Sequence, residues 1–151
     1  MTHKNEKTYI KRLSEIIQER VIIVDGAMGT SIQNLDLNAQ DFGGSEYEGC
    51  NEYLNVTKPE VIKTIHRDFL KSGADVIETN SFGSTPLVLA EYGLEDQALL
   101  ISRLAAEIAR QVANEFSTHD WPRFVAGSMG PTTKAISVTG GITWEDLRSE
   151  E

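Results

Sequence analysis

The sequence predicts an α/β protein built on a parallel sheet, and three observations carry that expectation. Short aliphatic segments at 21–24, 75–79 and 123–128 alternate with stretches of helical periodicity, the order of a strand-helix-strand-helix-strand unit. Each helix returns to the next strand quickly, through 72–74 and 117–122. The connections leaving the strands are longer, at 27–56, 80–85 with a further break at Gly93, and 129–142. Surplus chain therefore collects at the carboxyl ends of the strands, where barrels and open α/β sheets alike hold their ligands.

The elements follow in order. Residues 1–20 are a polar, charged lead-in with helical character, and strand one is the β-branched run VIIV, which passes directly into DGAMGT. In TKPEVIKTIHRDFLKSGA, Val61, Ile62, Ile65, Phe69 and Leu70 fall at helical spacing. Thr57 and Glu60 have the spacing of a capping box, and Gly73 supplies the stop. DVIET is strand two. A short helical piece from Pro86 to Tyr92 ends at Gly93, and a longer helix over 96–116 places Ala98, Ile101, Ala105, Ile108, Val112 and Phe116 on one face. RFVAGS is strand three. Thr143 and Asp146 form a second capping box, opening a fourth helix that has only begun at Glu151. Three parallel strands would leave an unpaired edge, so the chain is expected to be part of a larger domain.

Composition narrows the function classes. With 40% hydrophobic residues the 151-residue chain can bury a core, and no apolar run approaches a membrane span of roughly 20 residues. The N-terminal MTHKNEKTYIKRL lacks a signal-peptide core, which favours the cytoplasm. Fourteen Lys and Arg against 23 Asp and Glu, a net charge of -9, argue against a nucleic-acid partner. One cysteine, Cys50, excludes an intramolecular disulfide and cannot alone build a zinc site. With no base identifiable near it, Cys50 reads as a packing or loop residue. His66, beside Arg67 and Asp68, reads as an exposed helix residue, and His3 and His119 sit in polar surroundings, so no catalytic residue is assigned. GSMGPTT at 127–133 matches neither phosphate-binding glycine pattern.

The candidate site is polar residues at strand ends. Alternation places Asp25 on the side of Val21 and Ile23, and Glu78 and Asn80 on the side of Val76. Asp25, Glu78 and Asn80 would suit an ammonium group, and the amides of Gly26 and Ala27 a carboxylate, which together describe an α-amino acid site. The plainer reading stays open at this point: an Asp-Gly pair after a strand is most often a turn.

DGAMGT at 25–30, CNEYLNVTKPEVI at 50–62, GADVIETNSFG at 73–83, EYGLED at 91–96 and AGSMGPTTK at 126–134 together resemble the N-terminal homocysteine-binding module of the cobalamin-dependent methionine synthase family. The similarity spans about residues 20–147, and five motifs in order make it specific. Betaine-homocysteine methyltransferases are also similar at the DG turn and the PEV helix, less so at CNEYLN and TNSFG.

The resemblance implies a TIM (β/α)8 barrel, of which 21–151 would be the N-terminal half, about three βα units plus the start of a fourth helix. It implies homocysteine as substrate, its thiolate activated by zinc and methylated to methionine, with cobalamin as the family's methyl carrier. The zinc would be held by three cysteines on later strands, none present here, so this fragment is expected to bind neither cofactor and to be inactive alone. The implied partners are the second barrel half and folate and cobalamin domains. Asp25, Gly26 and Ala27 match the family's substrate-binding turn, with Glu78, Asn80 and Ser128 as neighbours by strand position. The alternative is a truncated, non-catalytic product acting as a binding or assembly element.

Overall fold

The computed structural model describes residues 13–132, 134 and 141–148. Helix α1 covers residues 13–19. Then come α2 (Met28–Gln33), α3 (Leu54–Thr57), α4 (Pro59–Lys71), β1 (Val76–Glu78), α5 (Pro86–Leu89), α6 (Ala98–Phe116), β2 (Phe124–Ala126) and α7 (Trp144–Arg148). None of the described helices is long and apolar enough to cross a membrane.

The architecture is α/β with an open parallel sheet in chain order. β1 pairs with β2 in parallel, Val76 opposite Phe124 and Glu78 opposite Ala126. Amide bonds from Phe124 to Asp75 O (2.8 Å) and from Thr79 to Ala126 O (2.9 Å) extend this ladder at each end, recovering the expected 75–79. The first expected strand is present only as an extended segment with one parallel bridge, Val24 to Val76. The cause is local. The regular backbone ladder is confined to the bonds from the Val76 amide to Ile23 O (3.2 Å) and from the Asp25 amide to Val76 O (2.9 Å), because carboxylates take the amides on either side: Asp75 accepts from Ile23 (3.0 Å) and Asp25 from Glu78 (2.8 Å).

α4 and α6 pack on each other and on one face of β1. Leu70, Ile77, Ala109, Val112 and Ala113 form one cluster, and Ile62, Ile65 and Ile108 join Ile32, Phe42 and Leu54 in another. The long connection 27–56 thus contributes to the core instead of wandering over the surface. α4 ends as expected: the Gly73 amide donates to Leu70 O and the Ala74 amide to Phe69 O, the paired bonds of a Schellman motif, with Gly73 at φ 106°. The piece from Pro86 also ends at Gly93, at φ 66°.

Two expectations are corrected. The Thr57–Glu60 capping box is absent: Pro59 opens α4 with Lys58 as N-cap and no side-chain cap, which follows from proline's preference for the first helical position. Thr57 belongs to α3 and donates to Tyr53 O (3.4 Å), while Glu60 pairs with Lys63 (2.8 Å). His66 is fully buried, not exposed, because Ile62, His66 and Leu70 stack at i, i+4 and i+8 on a buried face of α4. Neither ring nitrogen has a partner among the described residues, and burial pushes its pKa down to about 4, so it is a neutral packing group. α7 begins after Thr143 as expected, with the Leu147 amide donating to Thr143 O (3.1 Å), while the Asp146 side chain and His3 lie outside the described residues.

Val21, Ile23 and Val24 are 83%, 56% and 50% exposed, an apolar sheet margin open to solvent. The isolated chain is therefore expected to unfold broadly or to self-associate. Thermal unfolding with light scattering checks this, and a sharp transition in a demonstrated monomer would contradict it.

Candidate functional site

All six residues singled out in the sequence, Asp25, Gly26, Ala27, Glu78, Asn80 and Ser128, line one cavity of about 240 Å³ at the carboxyl ends of the strands. The sheet order brings them together: 21–25 and β2 flank β1, so the turns that follow these three segments open on the same side.

Asp25 closes the turn with one of its oxygens and leaves the other over. Its Oδ1 accepts the Glu78 amide (2.8 Å), taking the place of a backbone carbonyl where the chain turns out of the sheet. Oδ2 has no hydrogen-bond partner among the described residues. Burial, opposed by that amide and reinforced by the nearby Glu78 charge, raises the pKa to about 6. No described cation pairs with Asp25 or Glu78. Among the described residues the site is a carboxylate pair without a positive charge beside it.

The turn that follows is strained in a useful direction. Ala27 caps α2 in the left-handed region (φ 53°, ψ 34°), a conformation costing about 1 to 2 kcal/mol for a residue with a Cβ. The Gly26 and Ala27 amides donate to none of the described residues. A Cβ added at Gly26 would meet no atom within 4 Å, so packing within the chain does not require glycine there.

The other three expected residues differ in how free they are. Glu78 is exposed, with Oε2 accepting the Ser128 hydroxyl (3.2 Å). Asn80 is buried and largely committed: Nδ2 donates to Asn51 O (2.8 Å) and Asn55 Oδ1 (3.2 Å), and its carbonyl accepts from Asn55 Nδ2 (2.8 Å). It fastens the 51–55 segment to the end of β1, leaving only its Oδ1 to face a ligand.

Sequence reasoning missed Asn51, Glu52 and Phe82, which also line the cavity. Glu52 accepts the Gly83 amide (2.8 Å), and Phe82 stands 58% exposed over Gly130. The signal was available, since CNEYLN and TNSFG carried the resemblance. Those stretches have no periodicity from which to argue a direction.

Among the described residues no group of three or more His, Cys, Asp or Glu could hold a metal ion. Cys50 is buried among Leu89, Leu94, Ala98 and Ile101, and burial pushes its thiol up to about 11. These residues do not fit a zinc centre. Cys50 is a packing residue, as expected.

The sequence matches the family description homocysteine S-methyltransferase over residues 22–150. It is 46% identical over 134 residues to methionine synthase of Mycobacterium leprae (strain TN) and 45% identical to that of Mycobacterium tuberculosis (strain ATCC 25618 / H37Rv), covering 89% of this chain in each case. The chain spans only 11% of the length of these relatives. Among solved structures it is similar to the homocysteine methyltransferase MmuM from Escherichia coli. The metallated form aligns with TM-score 0.64 at 28% identity, and the oxidized form with 0.65 at 27%. The alignments cover 79% of this chain and about 40% of those.

Proposed function

The chain belongs to the homocysteine S-methyltransferase family, and from that premise we propose that it supplies the amino-acid-binding wall of a methionine synthase that methylates the homocysteine thiol. The arrangement that carries the reading is the uncompensated pair Asp25 and Glu78 beside the free amides of Gly26 and Ala27. The ammonium group of the substrate provides the missing positive charge, with Asp25 Oδ2 and Glu78 as its acceptors. Its carboxylate lies against the two amides, and the absence of a side chain at Gly26 lets it approach them. In this reading the described strands are the first part of a (β/α)8 barrel, and the site lies at its mouth. Zinc and cobalamin, where the complete enzyme uses them, are held by residues outside this chain.

The contribution of these residues is binding and orientation, with no proton transfer assigned to them. A substrate gripped at both α-substituents presents its thiol in one direction, which lowers the entropic part of the barrier.

The test is a comparison of homocysteine with 4-mercaptobutanoate, which differs only in lacking the ammonium group, in the complete enzyme carrying these residues. Homocysteine is expected to bind more tightly by about 2 to 5 kcal/mol, the range for a desolvated charge pair. Equal affinities would remove the assignment of Asp25 and Glu78.

A further inference from the structure

We propose that Thr79 and Ser81 are positioning residues: through a closed ring of hydrogen bonds they fix Ser128, and through Ser128 they aim the Glu78 carboxylate at the ligand. This deepens the homocysteine reading and rests on it for the ligand.

The ring is specified by its distances and by proton count. The Ser128 amide donates to Thr79 Oγ1 (2.9 Å), Ser81 Oγ donates to Ser128 O (2.8 Å), and the two hydroxyl oxygens are 2.6 Å apart. A hydroxyl has one proton to give. The Ser81 proton is committed to the Ser128 carbonyl, so Thr79 is the donor in the bond between the hydroxyls. The ring therefore runs in one direction, from Ser128 N–H to Thr79, from Thr79 O–H to Ser81, and from Ser81 O–H back to the Ser128 carbonyl. Both backbone polar groups of Ser128 are held by residues that follow β1, although Ser128 itself follows β2.

The consequence reaches the cavity through one further bond. Ser128 Oγ donates to Glu78 Oε2 (3.2 Å), leaving Oε1 without a described partner. Glu78 is exposed, and an unrestrained glutamate side chain there would occupy several rotamers. Thr79 is buried and Ser81 and Ser128 are half-buried, so the ring is sheltered from competing water. A shielded group of three residues thus holds an exposed carboxylate in register with Asp25, whose Oδ1 is fixed by the Glu78 amide.

The experiment uses the complete enzyme carrying these residues and compares Thr79→Val, Thr79→Ser, Ser81→Ala, Ser128→Ala and the double variant Thr79→Val with Ser128→Ala. It reads homocysteine KM, kcat, and amide hydrogen exchange at Ser128 in the ligand-free protein. Thr79→Val is expected to raise KM about tenfold with kcat nearly unchanged, the size and pattern expected from losing one hydrogen bond's worth of uniform binding to a charged group. Ser128 exchange should accelerate, and Thr79→Ser should restore both readouts. Ser81→Ala should reproduce the KM effect in part and serves if Thr79→Val folds poorly. The double variant should bind little worse than Thr79→Val alone, because both changes interrupt one path. Accelerated Ser128 exchange with unchanged KM would overturn the proposal, as would full additivity in the double variant. Failure of the wild-type enzyme to saturate with homocysteine, with Ser128 protected, would instead overturn the functional reading and the ligand named with it.

Discussion

Replacing Asp25 with asparagine is expected to change stability and ligand binding in opposite directions. Asparagine keeps an oxygen for the Glu78 amide, now held at 2.8 Å, so the turn survives. It removes a carboxylate that burial raises to about 6, compared with 3.8 for a free group. The sign follows from proton counts. Between pH 4 and 6 the folded state holds a proton at Asp25 that the unfolded state has released, so stability falls as pH rises through this window and is lowest above it. Asp25→Asn should therefore stabilise the protein at pH 7 by about 1 to 2 kcal/mol and flatten that part of the pH profile. Homocysteine affinity should fall by about 2 to 5 kcal/mol in the complete enzyme. Wild-type affinity should itself decline below about pH 6, where a proton competes with the ammonium group. Asp25→Ala is a less clean probe, since it also strands the Glu78 amide. Denaturant unfolding and homocysteine titration on one Asp25→Asn preparation decide the matter. Lost stability with normal affinity would reduce Asp25 to a turn residue.

Asp75→Asn is expected to do the reverse, costing stability and leaving affinity per folded molecule intact. Asp75 is buried at the opposite end of β1, where Arg20 donates to both its oxygens (2.8 and 2.7 Å), Trp121 Nε1 donates at 2.7 Å and the Ile23 amide at 3.0 Å. Trp121 in turn lies under the Arg123 guanidinium, 3.6 Å from its ring centre. The Arg20 bonds first, with the Ile23 amide and Trp121, hold the Asp75 carboxyl well below the usual range. Asparagine keeps one acceptor and loses the charge, at a cost of about 3 kcal/mol, the lower end of the range for a broken buried pair because Arg20 reaches solvent. A fall in midpoint of about 10 °C should follow. For a depressed carboxyl the stabilisation is complete at neutral pH and is lost as pH falls below about 4. The His66 contribution is lost earlier, between its unfolded value near 6.5 and its folded value of about 4. Acid unfolding of wild type and Asp75→Asn should converge at low pH. A parallel offset at every pH would show that charge is not what Asp75 contributes.

The contrast between these two aspartates marks what a sequence of this kind discloses. Asp25 was legible because it interrupts a run of β-branched residues at a position where topology predicts a ligand. Glu78 and Asn80 followed from alternation along their strand, and Ser128 from its strand position once the resemblance was in hand. Asp75 opens DVIET and looks like an ordinary strand start, since its partners Arg20 and Trp121 lie 55 and 46 residues away and nothing local announces them. The cores of α4 and α6 could be read from periodicity. His66 could not, because a histidine followed by arginine and aspartate has the composition of a solvated face while its spacing from Ile62 and Leu70 places it inside. Thr57 and Glu60 had capping-box spacing, yet Pro59 between them set the helix start. Asn51, Glu52 and Phe82 come from connections whose course depends on contacts between distant segments, which short-range pattern does not encode.

The cavity is assembled from four separated stretches, 25–29, 51–52, 78–82 and 128, so it exists only while the sheet and its connections are in place. Mass action then links occupancy to folding. A ligand that binds only the assembled cavity, supplied at one hundred times its dissociation constant, adds about 2.7 kcal/mol to the stability of the folded state. For a sheet with an apolar margin at Val21, Ile23 and Val24, that increment is comparable to the whole contribution expected of Asp75. Ligand concentration thereby becomes a determinant of how much folded protein exists, as well as of how much of that protein is occupied.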